Sequence, residues 1–541
     1  VDPNPNDANV IQDALRGTSA RLTLLAAGNI NINQGISVRE STDTDTSDFA
    51  LSLAFRANDQ SQRPSNEAFG LDQVVGSVNI DADITTGGGS VEASGISITQ
   101  TVGSNIETDG GSVTFTSGSF SANGSTGDIP RQSSDPVEAD PSLLPGGGNS
   151  FNPGISILGN IDTTTPDDDG SNGGAITLIA GGIGISTSQS GDDELQIDTG
   201  ELLVRGNLTS GGGNISLSAG TTGPVGDTLA GNVEIDGSTI SSNGGNILVS
   251  AVRVDPLGDN GQFDITFIDP SHGEGGSVSI SNDTLNAENT IITTEGGTLI
   301  VGSEATQNIS IEGTLSTLGG EASGRAPDGE DGLLAIRAGD SAGVDTNTGR
   351  YGRGAITIGA NDNATLSSAG IFIQARDITT SSSDSPNIVS FTASGQSASL
   401  VNLADLGTAV VTAESEPVSI PVTNEITVNG DRMIEFGSGT ALTADRIRIN
   451  AALLPDQLNA EETNGVGQTF PAENTTTTLT RLTFAGAGGN SAMAGVRLST
   501  DDISIVIGDG TSATTGLEFE PLVDDEGTTT AFGFQRGSRG A

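Results

Sequence analysis

Short runs in which aliphatic residues alternate with Ser, Thr or Asn return along most of the chain, and many start just after a pair of glycines. "IETDGGSVTF" at 106–115, "LTSGGGNISL" at 208–217, "ISSNGGNILV" at 240–249 and "TTEGGTLIV" at 293–301 share one plan. An apolar residue is followed by two or three small polar ones, Gly-Gly, a polar residue, and then apolar-polar-apolar. A period of two puts Val113 and Phe115, Ile215 and Leu217, Ile247 and Val249, and Val278 and Ile280 on one side of a strand. Thr114, Ser216 and Ser279 fall on the other side, where Leu248 breaks the rule by being apolar. Gly110-Gly111, Gly244-Gly245 and Gly296-Gly297 supply the positive φ that a sharp corner between strands requires.

Spacing separates a hairpin fold from a coil. The first glycines of successive pairs fall at 88 and 110, 275 and 296, and 296 and 319, steps of 22, 21 and 23 residues. Steps of 32 and 31 run from 212 to 244 and from 244 to 275. A unit of about 20 to 30 residues is the mark of a solenoid, the longer steps being a coil with a loop of about ten residues. With no amphipathic helix between the strands, the pattern predicts an all-β, elongated parallel β-helix with protruding loops. About 16 coils stacked at the inter-strand spacing of about 4.8 Å would make a shaft roughly 75 Å long.

The organisation expected from this pattern has three parts. Residues 1–20 hold a short helical segment, capped by Asn6 or Asp7 and ended by Gly17, that covers the end of the solenoid or touches another subunit. Residues 21–400 form the shaft, and stretches rich in Pro, Asp, Ser or Asn near 38–75, 118–154 and 251–273 read as loops leaving it. Past residue 400 the Gly-Gly pairs fade, although "NEITVNG", "DRIRIN" and "DDISIVIG" stay strand-like. Residues 401–541 are therefore expected to be an irregular β-rich continuation or cap, with a further loop at 454–478.

Composition sharpens this picture. Glycine makes up 78 of 541 residues, aromatics only 3%, and Trp and Cys are absent, so the core must be thin and aliphatic. All 20 basic residues are Arg against 69 acidic ones, a formal charge of −49. Such a surface repels phosphate backbones and anionic lipid headgroups, which argues against nucleic acid or membrane partners. No run reaches the roughly 18 apolar residues of a transmembrane helix. The chain begins at Val1, as a processed product or internal portion does, which leaves room for an export signal upstream.

Candidate chemistry is confined to acidic loops. Asp43, Asp45 and Asp48 in "STDTDTSD" and Asp167, Asp168 and Asp169 in "PDDDGSNGG" offer the hard oxygen ligands that calcium prefers, with no cofactor required by the fold. The EF-hand template is not met, because Asp48 stands where Gly is needed and Ala54 where the closing Glu belongs. Glycoside hydrolysis needs two carboxylates at a set separation, which sequence cannot place, and sugar clefts usually want aromatic platforms where this chain has one Tyr, Tyr351. The single His, His272 in "PSHGEGG", lies beside a corner with no second His, Lys or Cys to complete a nucleophilic or zinc site.

"RLTLLAAGNININQGISV" at 21–38, "GGAITLIAGGIGIST" at 173–187 and "GGNISLSAG" at 212–220 resemble the shaft repeats of the filamentous haemagglutinin family of bacterial surface exoproteins. The resemblance covers roughly residues 21–320 at the level of the repeat. It implies a right-handed parallel β-helix, export by two-partner secretion, and a role in adhesion, biofilm or surface-fibre formation. The expectation is thus a secreted or cell-surface, non-enzymatic structural or adhesive shaft. Its partners would be other copies of itself, met end to end or laterally, other cells, or surface polysaccharide. The alternative is a polysaccharide lyase, hydrolase or polysaccharide-binding β-helix.

Overall fold

A computed structural model describes residues 19–26, 28–38, 50–57, 76–117, 121–122, 125–126, 154–165, 173–181, 201–222, 228–251, 254–256, 263–265, 276–283, 288–303, 306–319, 331–338, 354–380, 387–394, 424–437, 439–451, 481–484, 497–499, 502–507 and 533–536. These residues form a parallel β-helix with three faces. Each coil visits the first, second and third face in turn, and each strand pairs in parallel with its counterpart one coil later.

Three coils show the plan. Val91–Gly95, Ile98–Gln100 and Ile106–Glu107 make one; Val113–Ser117, Gly154–Ile157 and Ile161–Asp162 the next; Ile176–Ala180, Glu201–Val204 and Leu208–Thr209 the third. The third face is a 12-stranded sheet. Among the described residues the first face stacks 14 strands, from Ala20–Leu25 to Gly533–Arg536, which at about 4.8 Å a step is on the order of 60 Å of shaft.

The register turns the period-two pattern into columns. On the first face Leu53, Val91, Val113, Ile176, Ile215, Ile247 and Leu299 stack directly over one another, all buried. Two residues on, Phe55, Ala93, Phe115, Leu178, Leu217, Val249 and Val301 form a second column, with Ala93 between the two phenylalanines. The third face contributes one column, Ile84, Ile106, Ile161, Leu208, Ile240, Ile292, Leu315, Leu366 and Phe391. A core this narrow fills with branched aliphatic side chains, which explains how the chain manages almost without aromatics.

The two glycines of each corner serve different needs. Gly110 and Gly244 adopt φ of 97° and 99°, preceded by Asp109 and Asn243, which are also left-handed. Gly111 and Gly245 instead lie against the coil beneath: a Cβ on Gly111 would meet the Gly89 carbonyl oxygen at 2.1 Å, and one on Gly245 the Gly213 oxygen at 2.2 Å. Beside them runs a column of buried hydroxyls. Thr108 donates to the Gly111 carbonyl, Thr163 to Gly174, Ser210 to Gly213, Ser242 to Gly245 and Thr294 to Gly297. Each hydroxyl satisfies a carbonyl that the turn would otherwise bury unpaired.

Several expectations are corrected. Gly276, counted above as the same corner, precedes the second face and stacks on Gly231, so the steps of 31 and 21 residues mixed two corners. The corner after Leu315 closes on Gly332, to which Thr317 donates at 2.7 Å, and not on Gly319. Leu51–Arg56, inside the loop expected at 38–75, is a shaft strand with Leu53 and Phe55 in the core. Within 251–273, Val254–Pro256 and Phe263–Ile265 form an antiparallel hairpin, which lies against Ile176–Ala180 and Ile215–Thr222.

The regular coil also continues past residue 400. Gly370–Thr380 and Glu425–Phe436 each run from the first face into the second without a glycine turn, offset by a register shift between Ala375 and Asp377. Arg446–Ala451 and Asp502–Ile507 follow in register on the first face. The glycine pairs fade because the corner from the third face to the first is made by other residues there, as by Ala444 and Asp445 between Thr440–Thr443 and Arg446–Ala451. The helix expected at 6–17 and the loop at 454–478 lie outside the described residues.

Candidate functional site

With the core committed to packing, chemistry must come from the outward positions, and the three faces differ there. In the early coils the first face is polar outside: Glu92 stacks beside Thr114, and the Arg21 guanidinium donates to Glu92 at 2.8 Å. From Ile176–Ala180 to Gly370–Thr380 its outward side is largely buried as well. Leu248 stacks between Ser216 and Ile300, followed by Ala335 and Phe372, and all five are nearly inaccessible to solvent. A parallel sheet covered on both sides reads as a continuous apolar run, as in "LIV", "LLAI" and "GIFI". Leu248 thus belongs to a second, outer layer, in which Ile179 on the strand Ile176–Ala180 precedes it.

Farther along the first face, Glu425 is buried and accepts from Arg446 at 3.2 Å, Arg448 at 3.0 Å and the Thr427 hydroxyl at 3.0 Å. Both arginines keep a half-exposed side chain. This group pairs a buried carboxylate with two arginines and a hydroxyl. On the second face Arg205 pairs with Asp236 at 3.0 Å and Glu234 at 3.5 Å at the surface, where such pairs contribute little.

The third face is open. Its strands are two to five residues long and carry two outward rows flanking the buried column. One row reads Asp83, Asn105, Asn160, Asn207, Thr239, Ile291, Thr314, Thr365, Ser390 and Ala441; the other reads Thr85, Glu107, Asp162, Thr209, Ser241, Thr293, Ser316, Ser367, Thr392 and Thr443.

In the early coils the first row is a side-chain ladder. The Asp83 carboxylate accepts from the Asn105 amide at 2.8 Å, Asn160 Oδ1 from the Asn207 amide at 3.0 Å, and Asn207 Oδ1 from the Thr239 amide at 2.9 Å. Beyond Thr239 the ladder stops. Among the described residues, the hydroxyls of Thr314, Thr365 and Ser390, and across from them Thr293, Ser316 and Ser367, have no hydrogen-bond partner. Ile291 stands exposed within the first row, at 40%, and Ile388, two residues before Ser390, stands exposed beside it, at 51%.

Asp43, Asp45, Asp48, Asp167, Asp168 and Asp169 all lie outside the described residues, as do His272 and Tyr351. Among the described residues no group of three or more His, Cys, Asp or Glu side chains could hold a metal ion, and no helix is long and apolar enough to cross a membrane. The hydroxyl rows escaped sequence reading because a strand as short as "LT" or "IS" shows no periodicity of its own. Only the register reveals the rows.

No protein-family model, curated protein or solved structure matches this chain.

Proposed function

We propose that this chain is a non-enzymatic shaft of an extracellular surface protein, structural or adhesive, that associates with further copies end to end. The observation that carries this reading is the pairing of whole coils. Among the described residues every strand of the three faces, except the first and last of each face, is bonded on both edges, and the core columns run without interruption, as a stiff rod requires.

At one end, Ala20–Leu25 pairs only with Leu51–Arg56 among the described residues. Leu22 and Leu25 there are each 42% exposed although Leu22 stands at a core position. An unpaired parallel strand with an apolar inner side is a template for another coil, and heterologous stacking of such ends gives a linear assembly. The repeats that resemble the filamentous haemagglutinin shaft at 21–38, 173–187 and 212–220 agree with this reading, as do the acidic surface and the absence of Cys.

Negative-stain electron microscopy of the purified chain, with and without millimolar calcium, tests it. Rods that join into linear filaments are the expected result, and calcium-dependent joining would assign a role to the acidic loops. Uniformly dispersed single rods at all concentrations would refute end-to-end assembly. Cleavage of a polysaccharide by the purified chain would replace this proposal with the enzymatic alternative.

A further inference from the structure

The chain carries 69 acidic residues, yet from Asn207 and Thr209 to Ala441 and Thr443 neither outward row of the third face contains a charge. In the coils before that point the same rows hold Asp83, Glu107 and Asp162. We propose that this uncharged strip binds a single extended chain of a neutral polysaccharide lying along the shaft axis. The inference rests on the reading of the protein as a non-enzymatic surface shaft and names the ligand of its open face.

Dimensions and charge select the occupant. Positions two apart in a strand are separated by about 6.6 Å and coils by about 4.8 Å, so seven coils make a strip roughly 7 Å wide and 30 Å long. That is on the order of 200 Å² against the roughly 800 Å² per partner of a stable protein interface, so the strip is too slender to hold a second copy. A polyanion is repelled by a molecule with a formal charge of −49, and a polycation is drawn to its carboxylates rather than to a strip without any. A neutral linear polymer meets neither obstacle here.

The chemistry of the strip fits a glycan. Ser and Thr hydroxyls both donate and accept, as sugar hydroxyls do, and those of Thr314, Thr365 and Ser390 have no hydrogen-bond partner among the described residues. Threonine methyl groups and the exposed Ile291 and Ile388 offer apolar contact to the C–H faces of sugar rings. One ring contacts a few weak groups, but a chain laid along the strip meets an equivalent set at every coil, and linked weak contacts sum to useful affinity.

The test is affinity electrophoresis of the full chain in gels containing hydroxyethyl cellulose, carboxymethyl cellulose or chitosan, which differ chiefly in charge. Retardation by the neutral polymer is expected. A triple variant, Thr239→Asp, Thr314→Asp and Thr365→Asp, should weaken it by about tenfold or more. The control variant Thr23→Asp, Thr114→Asp and Ser279→Asp adds the same charge on the other two faces and should retain binding, with circular-dichroism melting showing that both variants stay folded. Retardation only by a charged polymer, retardation that the strip variant leaves intact, or none at all would overturn the proposal. Filaments in the microscope alongside any of those results would leave the shaft reading standing, so the two ideas fail separately.

Discussion

The first and third faces are built on the same coil, yet they present opposite outer surfaces. Leu248 and Thr293 both point away from the core of one and the same coil; one is buried beneath an outer layer and the other lies on the open face. On the first face the outward column Leu248, Ile300, Ala335 and Phe372 extends the core to a second side, with the hairpin of Val254–Pro256 and Phe263–Ile265 lying along the neighbouring strands. On the third face the corresponding positions are Ser and Thr apart from Ile291. The inward residues set the coil, and the outward residues decide which side of the shaft is available to partners.

Substitutions can break this contrast, and the largest effect is expected from a charge. Leu248→Asp places an unpaired carboxylate under the cover and should cost at least about 3 kcal/mol. Thr293→Asp should stay within about 0.5 kcal/mol. Chemical denaturation of the pair measures the difference, and equal values would mean that the first face is not covered.

Removing volume sharpens the same point. Phe372→Ala should destabilise by roughly 3 kcal/mol, as a core phenylalanine does, whereas Thr365→Ala should be close to neutral. At the corner that joins the two faces, Thr294→Val deletes the hydroxyl that caps the Gly297 carbonyl. It should cost about 1–2 kcal/mol in thermal or urea unfolding, with Thr294→Ser close to wild type. The smallest effect is expected at the exposed pair of Arg21 and Glu92, where either alanine substitution should change stability by less than about 1 kcal/mol.

The alternation of Val113 with Phe115 and of Ile215 with Leu217 made the β-helix legible, because a strand with one buried side must repeat every second residue. Corners were half legible. Gly-Gly marked them, but only the structure separates Gly110, held by its φ, from Gly111, held by the backbone of the coil beneath. The length of a coil could not be read, since Gly276 and Gly245 look alike in sequence while lying at different corners. Leu51–Arg56 carried the signal in "LSLAFR" but sat in a polar stretch that disguised it. Leu248 was visible as an anomaly whose cause, a covered sheet, depends on segments distant in the chain. The open strip was illegible because its pattern runs across coils 20 to 50 residues apart and never along the chain.

Hydroxyl-radical footprinting read by mass spectrometry tests the division into a covered and an open face most directly, since it labels Leu, Ile and Phe side chains in proportion to their exposure. The account predicts that Leu248, Ile300 and Phe372 are as unreactive as the core residue Phe391, while Ile291 and Ile388 are oxidised readily. Oxidation of Leu248 and Phe372 at the level of Ile291 in the folded protein would contradict it.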